Sequence, residues 1–243
     1  MKHRTNSCKG RESGSTLIEL IFAVTILAVV TGAIFSQLSA AQQRISAEQV
    51  KVDNFDEARD FVDQFFRDIN QIGYPNGRIV SFSPAITDTR VAVGLVKISP
   101  TSIWFEGDIN GTGVVQEVQY MINGSGTCTL CLQRSQVAKV TGNPLTGQSA
   151  ADWGTEVNDL TTTTIFTFYD TNGNQVTPSP TLDINSNGST LATIKTIHIS
   201  LSIQNNSVID QKTKMPIQTN FEGEVSLNNC SMAATGVPPQ SCQ

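Results

Sequence analysis

From Leu17 to Phe35 the chain is apolar apart from Glu19, Thr25, Thr31 and Gly32, close to the ~20 residues a helix needs to cross a bilayer. After Ala40 the pattern changes with no helix breaker. Ile45, Val52, Phe55, Ala58, Val62, Phe65, Phe66, Ile69 and Ile72 recur mostly three or four apart, with Glu48, Asp53, Asp56, Glu57, Arg59, Asp60, Asp63, Arg67 and Asp68 between them. This is the signature of an amphipathic helix with one apolar stripe. No proline occurs before Pro75, and Ile72-Gly73-Tyr74-Pro75-Asn76-Gly77 supplies a stop. The spacing predicts a single helix from Ser15 to Ile72, ~87 Å long at ~1.5 Å per residue, apolar all round in its first half and one-sided in its second. Interruptions at Glu48, Gln49 and Arg59 argue against a sustained coiled-coil heptad.

Beyond about Gly77 the period shortens to two. Strands are expected at Val91–Ile98, Ser102–Glu106, Val114–Ile122, Leu130–Arg134, Thr164–Tyr169, Thr193–Gln204 and Thr219–Leu227. Ile197, Ile199, Leu201 and Ile203 share one face opposite His198, Ser200 and Ser202; Val118, Tyr120 and Ile122 alternate with Glu117, Gln119 and Asn123. Turns are expected at Asp108-Ile-Asn-Gly, Asn123-Gly-Ser-Gly, Asn172-Gly-Asn and Asn187-Gly. Residues 141–160 and 171–190 read as long polar loops and 228–243 as an irregular tail. The expected fold class is α+β, an antiparallel sheet packed on the amphipathic half of the helix.

Charge divides the chain. Of 243 residues, 15% are charged and 39% hydrophobic, and the formal net charge is -5. Residues 1–14 hold Lys2, Arg4, Lys9 and Arg11 against Glu12; the remainder has 12 basic and 20 acidic side chains. The basic leader fits a cytoplasmic N-terminus by the positive-inside rule. An acidic remainder lacks the basic footprint that nucleic-acid binding needs. Cys8 lies in the leader, whereas Cys128, Cys131, Cys230 and Cys242 would lie beyond the membrane, where disulfides persist.

The junction between leader and apolar run is Gly14-Ser15-Thr16-Leu17-Ile18-Glu19-Leu20. An ordinary secretory signal would be cut near Ser39-Ala40-Ala41, leaving Gln42 first. Neither that reading nor a plain anchor explains Glu19, because a carboxylate at the centre of a spanning helix costs ~2.5–3.5 kcal/mol. The junction resembles the class III signal of type IV prepilins and pseudopilins, usually Gly-Phe-Thr-Leu-Ile-Glu-Leu. The resemblance implies cleavage by prepilin peptidase between Gly14 and Ser15, N-methylation of Ser15, and pairing of Glu19 with the N-terminal amine of a neighbouring subunit during assembly. Ser15 stands where the family has Phe. The implied organisation is a leader at 1–14, a transmembrane and assembly half at 15–38, a stalk half at 39–73 and a β-rich head at 74–243, in the type IV pilin-like fold.

The block Ser102-Ile-Trp-Phe-Glu-Gly-Asp-Ile-Asn-Gly-Thr-Gly-Val-Val-Gln-Glu-Val-Gln-Tyr, followed by Leu132-Gln133-Arg134, resembles minor pilins of the PilW type and J-type pseudopilins of type II secretion. These resemblances imply a minor pilin held in the bacterial inner membrane with a periplasmic head, then carried into a pilus or pseudopilus. Its partners would be other minor pilins or pseudopilins, the major pilin and the inner-membrane assembly platform. A J-type pseudopilin is the nearest alternative, and an adhesin or DNA-uptake pilin binding through head loops is a different one.

Cys128-Thr-Leu-Cys131 lacks the further ligands a zinc site needs and the βαβ setting of a redox motif, so structural disulfides are expected. In one straight strand the two cysteines would face opposite ways, ~10 Å apart at ~3.3 Å per residue, beyond disulfide reach. Either the segment bends, or each pairs with a cysteine of the tail. Cys128–Cys131 with Cys230–Cys242 is the preferred set, the second resembling the C-terminal loops of many pilins. Asp108-x-Asn110-x-Thr112 and Asp170-x-Asn172-x-Asn174 look like fragments of calcium loops without the closing bidentate Glu, and hairpin turns explain both. No metal or other cofactor is expected. His198, the only histidine after the leader, reads as a solvated strand residue. Asp56, Glu57, Asp60 and Asp63 read as a solvated helix face. No nucleophile, phosphate-loop or paired-histidine motif is present, so no enzyme is expected.

Overall fold

The structure is a computed structural model that describes residues 16–75, 88–123, 128, 130–210 and 213–228. Helix α1 runs unbroken over Leu17–Asn70. The chain divides into two compact units, residues 1–46 and 47–243, and α1 contributes to both. In the first unit this helix is apolar over Leu17–Phe35 but for Glu19, Thr25, Thr31 and Gly32, and it is exposed along nearly its whole length. In the second, α1 buries Asn54, Ala58, Phe61, Val62, Phe65, Asp68 and Ile69, spaced three or four apart on one face. Helical structure gives way to turns at 71–73, where Gly73 takes φ 74, the left-handed conformation glycine adopts without penalty.

Two antiparallel sheets complete the second unit. Strands β1 (Leu95–Ser99), β2 (Ser102–Gly107), β3 (Gln116–Ile122), β4 (Leu132–Ala138), β5 (Trp153–Val157) and β8 (Leu182–Asp183) form one, in the order β5-β4-β3-β2-β1-β8. Strands β6 (Phe166–Asp170), β7 (Gln175–Val176), β9 (Ile194–Ile209) and β10 (Pro216–Ser226) form the other, in the order β10-β9-β6-β7. The core joins α1 to both. Phe65 makes an edge contact with Tyr120 of β3 and stacks on Phe166 of β6, while Ile197, Ile199, Leu201 and Ile203 are at most 2% exposed. The α+β class and the helix on antiparallel strands are therefore as expected.

The single expected sheet is two. The expected polar loop at 141–160 contains edge strand β5, and that at 171–190 contains β7, β8 and most of helix α2 (Ile184–Thr193). Helix α2 is rich in weak helix formers; it is fixed by Asp183, whose carboxylate accepts the Asn185 and Ser186 N–H groups, and by burial of Leu191 and Ala192. Asn187-Gly188, expected as a turn, is a kink inside α2. Strand β4 extends four residues past Arg134 to Ala138. Chain leaving α1 is stitched to β2: Gly73 N–H donates to the Glu106 carbonyl at 2.9 Å, and Asp108 N–H to the Tyr74 carbonyl at 2.8 Å. The expected tail lies outside the described residues from Asn229 onward.

Candidate functional site

Gly14 and Ser15, the expected cleavage and methylation positions, lie outside the described residues, and α1 begins two residues later. Glu19 is in its first turn, where a carboxylate complements the positive end of the helix dipole. Around it Leu17, Ile18, Leu20 and Ile21 are all more than half exposed. Farther along, Val29, Val30, Ala33, Ile34, Gln37 and Leu38 line a shallow, almost wholly apolar groove on the helix surface. The Thr25 hydroxyl donates to the Ile21 carbonyl at 2.8 Å, so this polar group is satisfied within the helix, as an apolar surrounding requires. The helix is long and apolar enough to cross a membrane. Its chemistry is that of a lipid- or helix-packing surface carrying one carboxylate.

In the head the candidates separate. Cys128 and Cys131 are joined as a disulfide with Cα atoms 6.0 Å apart; Leu130 between them takes φ 52, which turns the chain. Cys230 and Cys242 lie outside the described residues. The Asp108 carboxylate is occupied by main-chain donors, Thr112 N–H at 3.0 Å and Gly113 N–H at 2.8 Å, and Asn110 accepts from the Thr112 hydroxyl at 2.7 Å. Asp170 likewise accepts from Asn172 and Asn174, both at 2.8 Å, and these bonds hold its carboxyl below the ordinary range. Both segments are hairpin turns, linking β2 to β3 and β6 to β7. Among the described residues, no group of three or more His, Cys, Asp or Glu is placed to hold a metal. His198 is half-buried on β9. Glu57 is also half-buried and accepts the Asn158 N–H at 3.0 Å, so this part of the expected solvated face is tied to the loop after β5.

Sequence reasoning missed two buried charge clusters. Asp68, expected on the polar face of the helix, is fully buried, because the interface is wide enough to take in a position flanking the apolar stripe. It accepts from the Tyr120 hydroxyl at 2.7 Å, from Arg134 Nε at 2.8 Å and from Gln64 Nε2 at 2.6 Å. Burial, then the Asp68 charge, holds the Tyr120 phenol well above its usual range. The second cluster has its side chains on the other face of the same sheet by strand alternation. Lys139, just past β4, donates from Nζ to Glu106 Oε2 and to the Val91 carbonyl, each at 2.7 Å, with both side chains wholly buried. Glu117 lies directly opposite Glu106 in the β2–β3 register. Burial, reinforced by the Glu106 charge, pushes the Glu117 carboxyl up to about 8. The alternation along β3 was readable beforehand; the strand register and the burial that bring Glu106, Glu117 and Lys139 together were not.

The structure combines a membrane-length apolar helix with an antiparallel β head. Residues 9–35 match the prokaryotic N-terminal methylation motif, so the chain carries the class III signal of type IV prepilins and pseudopilins on an α+β fold arranged as in type IV pilins. No curated protein and no solved structure matches the chain.

Proposed function

We propose that the protein is a minor pilin: inserted in the inner membrane, trimmed by prepilin peptidase to begin at N-methylated Ser15, and assembled through α1 with other minor pilins to prime or cap a type IV pilus. The supporting observation is the methylation motif at residues 9–35 together with a helix whose large apolar side chains are exposed from Leu17 to Leu38. Two charges drawn into an apolar bundle must find each other, so Glu19 is the partner for a neighbouring subunit's terminal amine. The role is structural rather than enzymatic. Mass determination of the mature N-terminus tests the processing: a start at Ser15 with one added methyl is expected, and a start at Gln42 overturns it.

The second reading is a J-type pseudopilin of a type II secretion system. It stands beside the first because the strand–turn–strand block around Asp108, here the β2–β3 hairpin, resembles both subunit types. Deletion separates them. Loss of surface pili with protein secretion intact supports the pilus, and the reverse supports secretion.

A further inference from the structure

The Glu106–Lys139 pair is costly as an ion pair. Both groups are out of water, where the mutual attraction of two charges rarely repays their desolvation unless every remaining polar atom is satisfied. Here they are not. Glu106 Oε1 is buried without a hydrogen-bond partner, and the Glu117 carboxyl and the Trp104 indole N–H have no partner but each other. Buried polar atoms are nearly always paired, so orphans gathered round one amine and one carboxyl need an explanation. By contrast, Glu106 Oε2 accepts the Val93 N–H at 2.9 Å, and Lys139 Nζ donates to the Val91 carbonyl at 2.7 Å.

We propose that Glu106 and Lys139 condense into an intramolecular amide, with Glu117 as the proton carrier. The bond formed is Lys139 Nζ to Glu106 Cδ, and the bond broken is Cδ–Oε1. Of the three protons on the ammonium, one stays on the amide nitrogen and two leave with Oε1 as water, so atoms and charge balance without an oxidant or co-reactant. Glu117, opposite Glu106 and protonated at the start, gives its proton to Oε1, takes one from Nζ as the amine attacks, passes that one to the departing oxygen and recovers the second from Nζ. Its raised carboxyl range leaves it protonated at neutral pH in the resting pair, ready to donate first and recover its proton from nitrogen afterwards.

The product keeps what the pair already has. Oε2 becomes the amide oxygen and retains the Val93 N–H, the remaining Nζ–H retains the Val91 carbonyl, and the atom lost is the unpartnered Oε1. Two buried charges disappear. The bond would fasten β2 to the end of β4 across β3, joining residues 33 apart.

The test is peptide mapping of the full processed chain, purified from membranes in detergent and unfolded before digestion. The expected result is a branched peptide linking Glu106 to Lys139, one water lighter than its two parts, with no trypsin cleavage after Lys139. Quantitative recovery of an unlinked Lys139 with a reactive ε-amine overturns the proposal. Glu117→Gln is expected to fold yet retain the unlinked pair, seen as a gain of one water over the linked chain once the substitution is allowed for. A fully linked Glu117→Gln overturns the part given to Glu117. Because the readout is covalent, it is independent of pilus assembly.

Discussion

Arg134 Nη2 and Asp68 Oδ2 meet at 2.7 Å across the interface between β4 and α1, with the carboxylate fully buried. The Tyr120 hydroxyl bonds the same oxygen, and the guanidinium lies 5.7 Å over the Tyr120 ring. Removing one member leaves the others buried and uncompensated. Asp68→Ala should destabilise the head by about 3–5 kcal/mol, whereas an apolar pair, Asp68→Leu with Arg134→Met, should recover most of the loss. Denaturant unfolding of the purified variants measures both.

Glu117 gives the head a pH dependence of definite sign. Its carboxyl moves from an ordinary 4.5 to about 8 on folding. Between those values the native protein holds a proton that the unfolded chain has released, so stability falls as pH rises through the window and levels off above it. The slope reaches at most ~1.4 kcal/mol per pH unit. Melting temperature should be higher at pH 6 than at pH 8, and Glu117→Gln should shrink the difference.

At Gly107 a side chain has no room, because an added Cβ would run into the main-chain carbonyl of Gln71 at the end of the helix. Gly107→Ala should cost about 1–3 kcal/mol, as overpacking does against atoms that cannot rotate away. Gly154→Ala is the control, since its Cβ would come no nearer than 3.9 Å to the Arg134 carbonyl. Thermal unfolding of the two variants side by side should separate them.

The Asp108 carboxylate spends both oxygens on main-chain donors. Chelator should therefore leave the melting temperature unchanged, whereas Asp108→Ala should lower stability by about 1–3 kcal/mol through the two lost bonds. A chelator-induced drop that calcium reverses would refute the hairpin-turn reading.

Glu19→Ala removes the one carboxylate from the exposed apolar helix without touching the head. The variant should insert in the membrane and fold normally, yet fall at least ~10-fold in sheared filament fractions, the equivalent of ~1.4 kcal/mol of lost subunit contact. Unchanged incorporation would remove Glu19 from the assembly reading.

What the sequence made legible were features with a strong local period. Leu17–Phe35 is apolar at all but four positions, Ala58 to Ile69 repeats at helical spacing, and Ile197 to Ile203 alternates cleanly; all three lie in the elements expected. The misses have physical causes. Strand β5 alternates weakly and exists because its backbone pairs with β4. Helix α2 depends on one cap and two buried side chains. Asp68 and Glu106 look like surface residues until the partners that bury them arrive from β4 and beyond, 66 and 33 residues away. The junction was legible for another reason: the order from basic leader to apolar helix is itself the methylation motif that residues 9–35 match.

The stitching of chain 73–75 onto β2 and the segment before β1 has a mechanical consequence. Gly73, Tyr74 and Pro75 each hold a main-chain bond of 2.8–2.9 Å to Glu106, Asp108 and Ala92 respectively. These bonds adjoin the packed face of Phe61, Phe65 and Ile69 on the same helix. The head is thereby fastened to the end of its own helix by main-chain bonds as well as by side-chain packing.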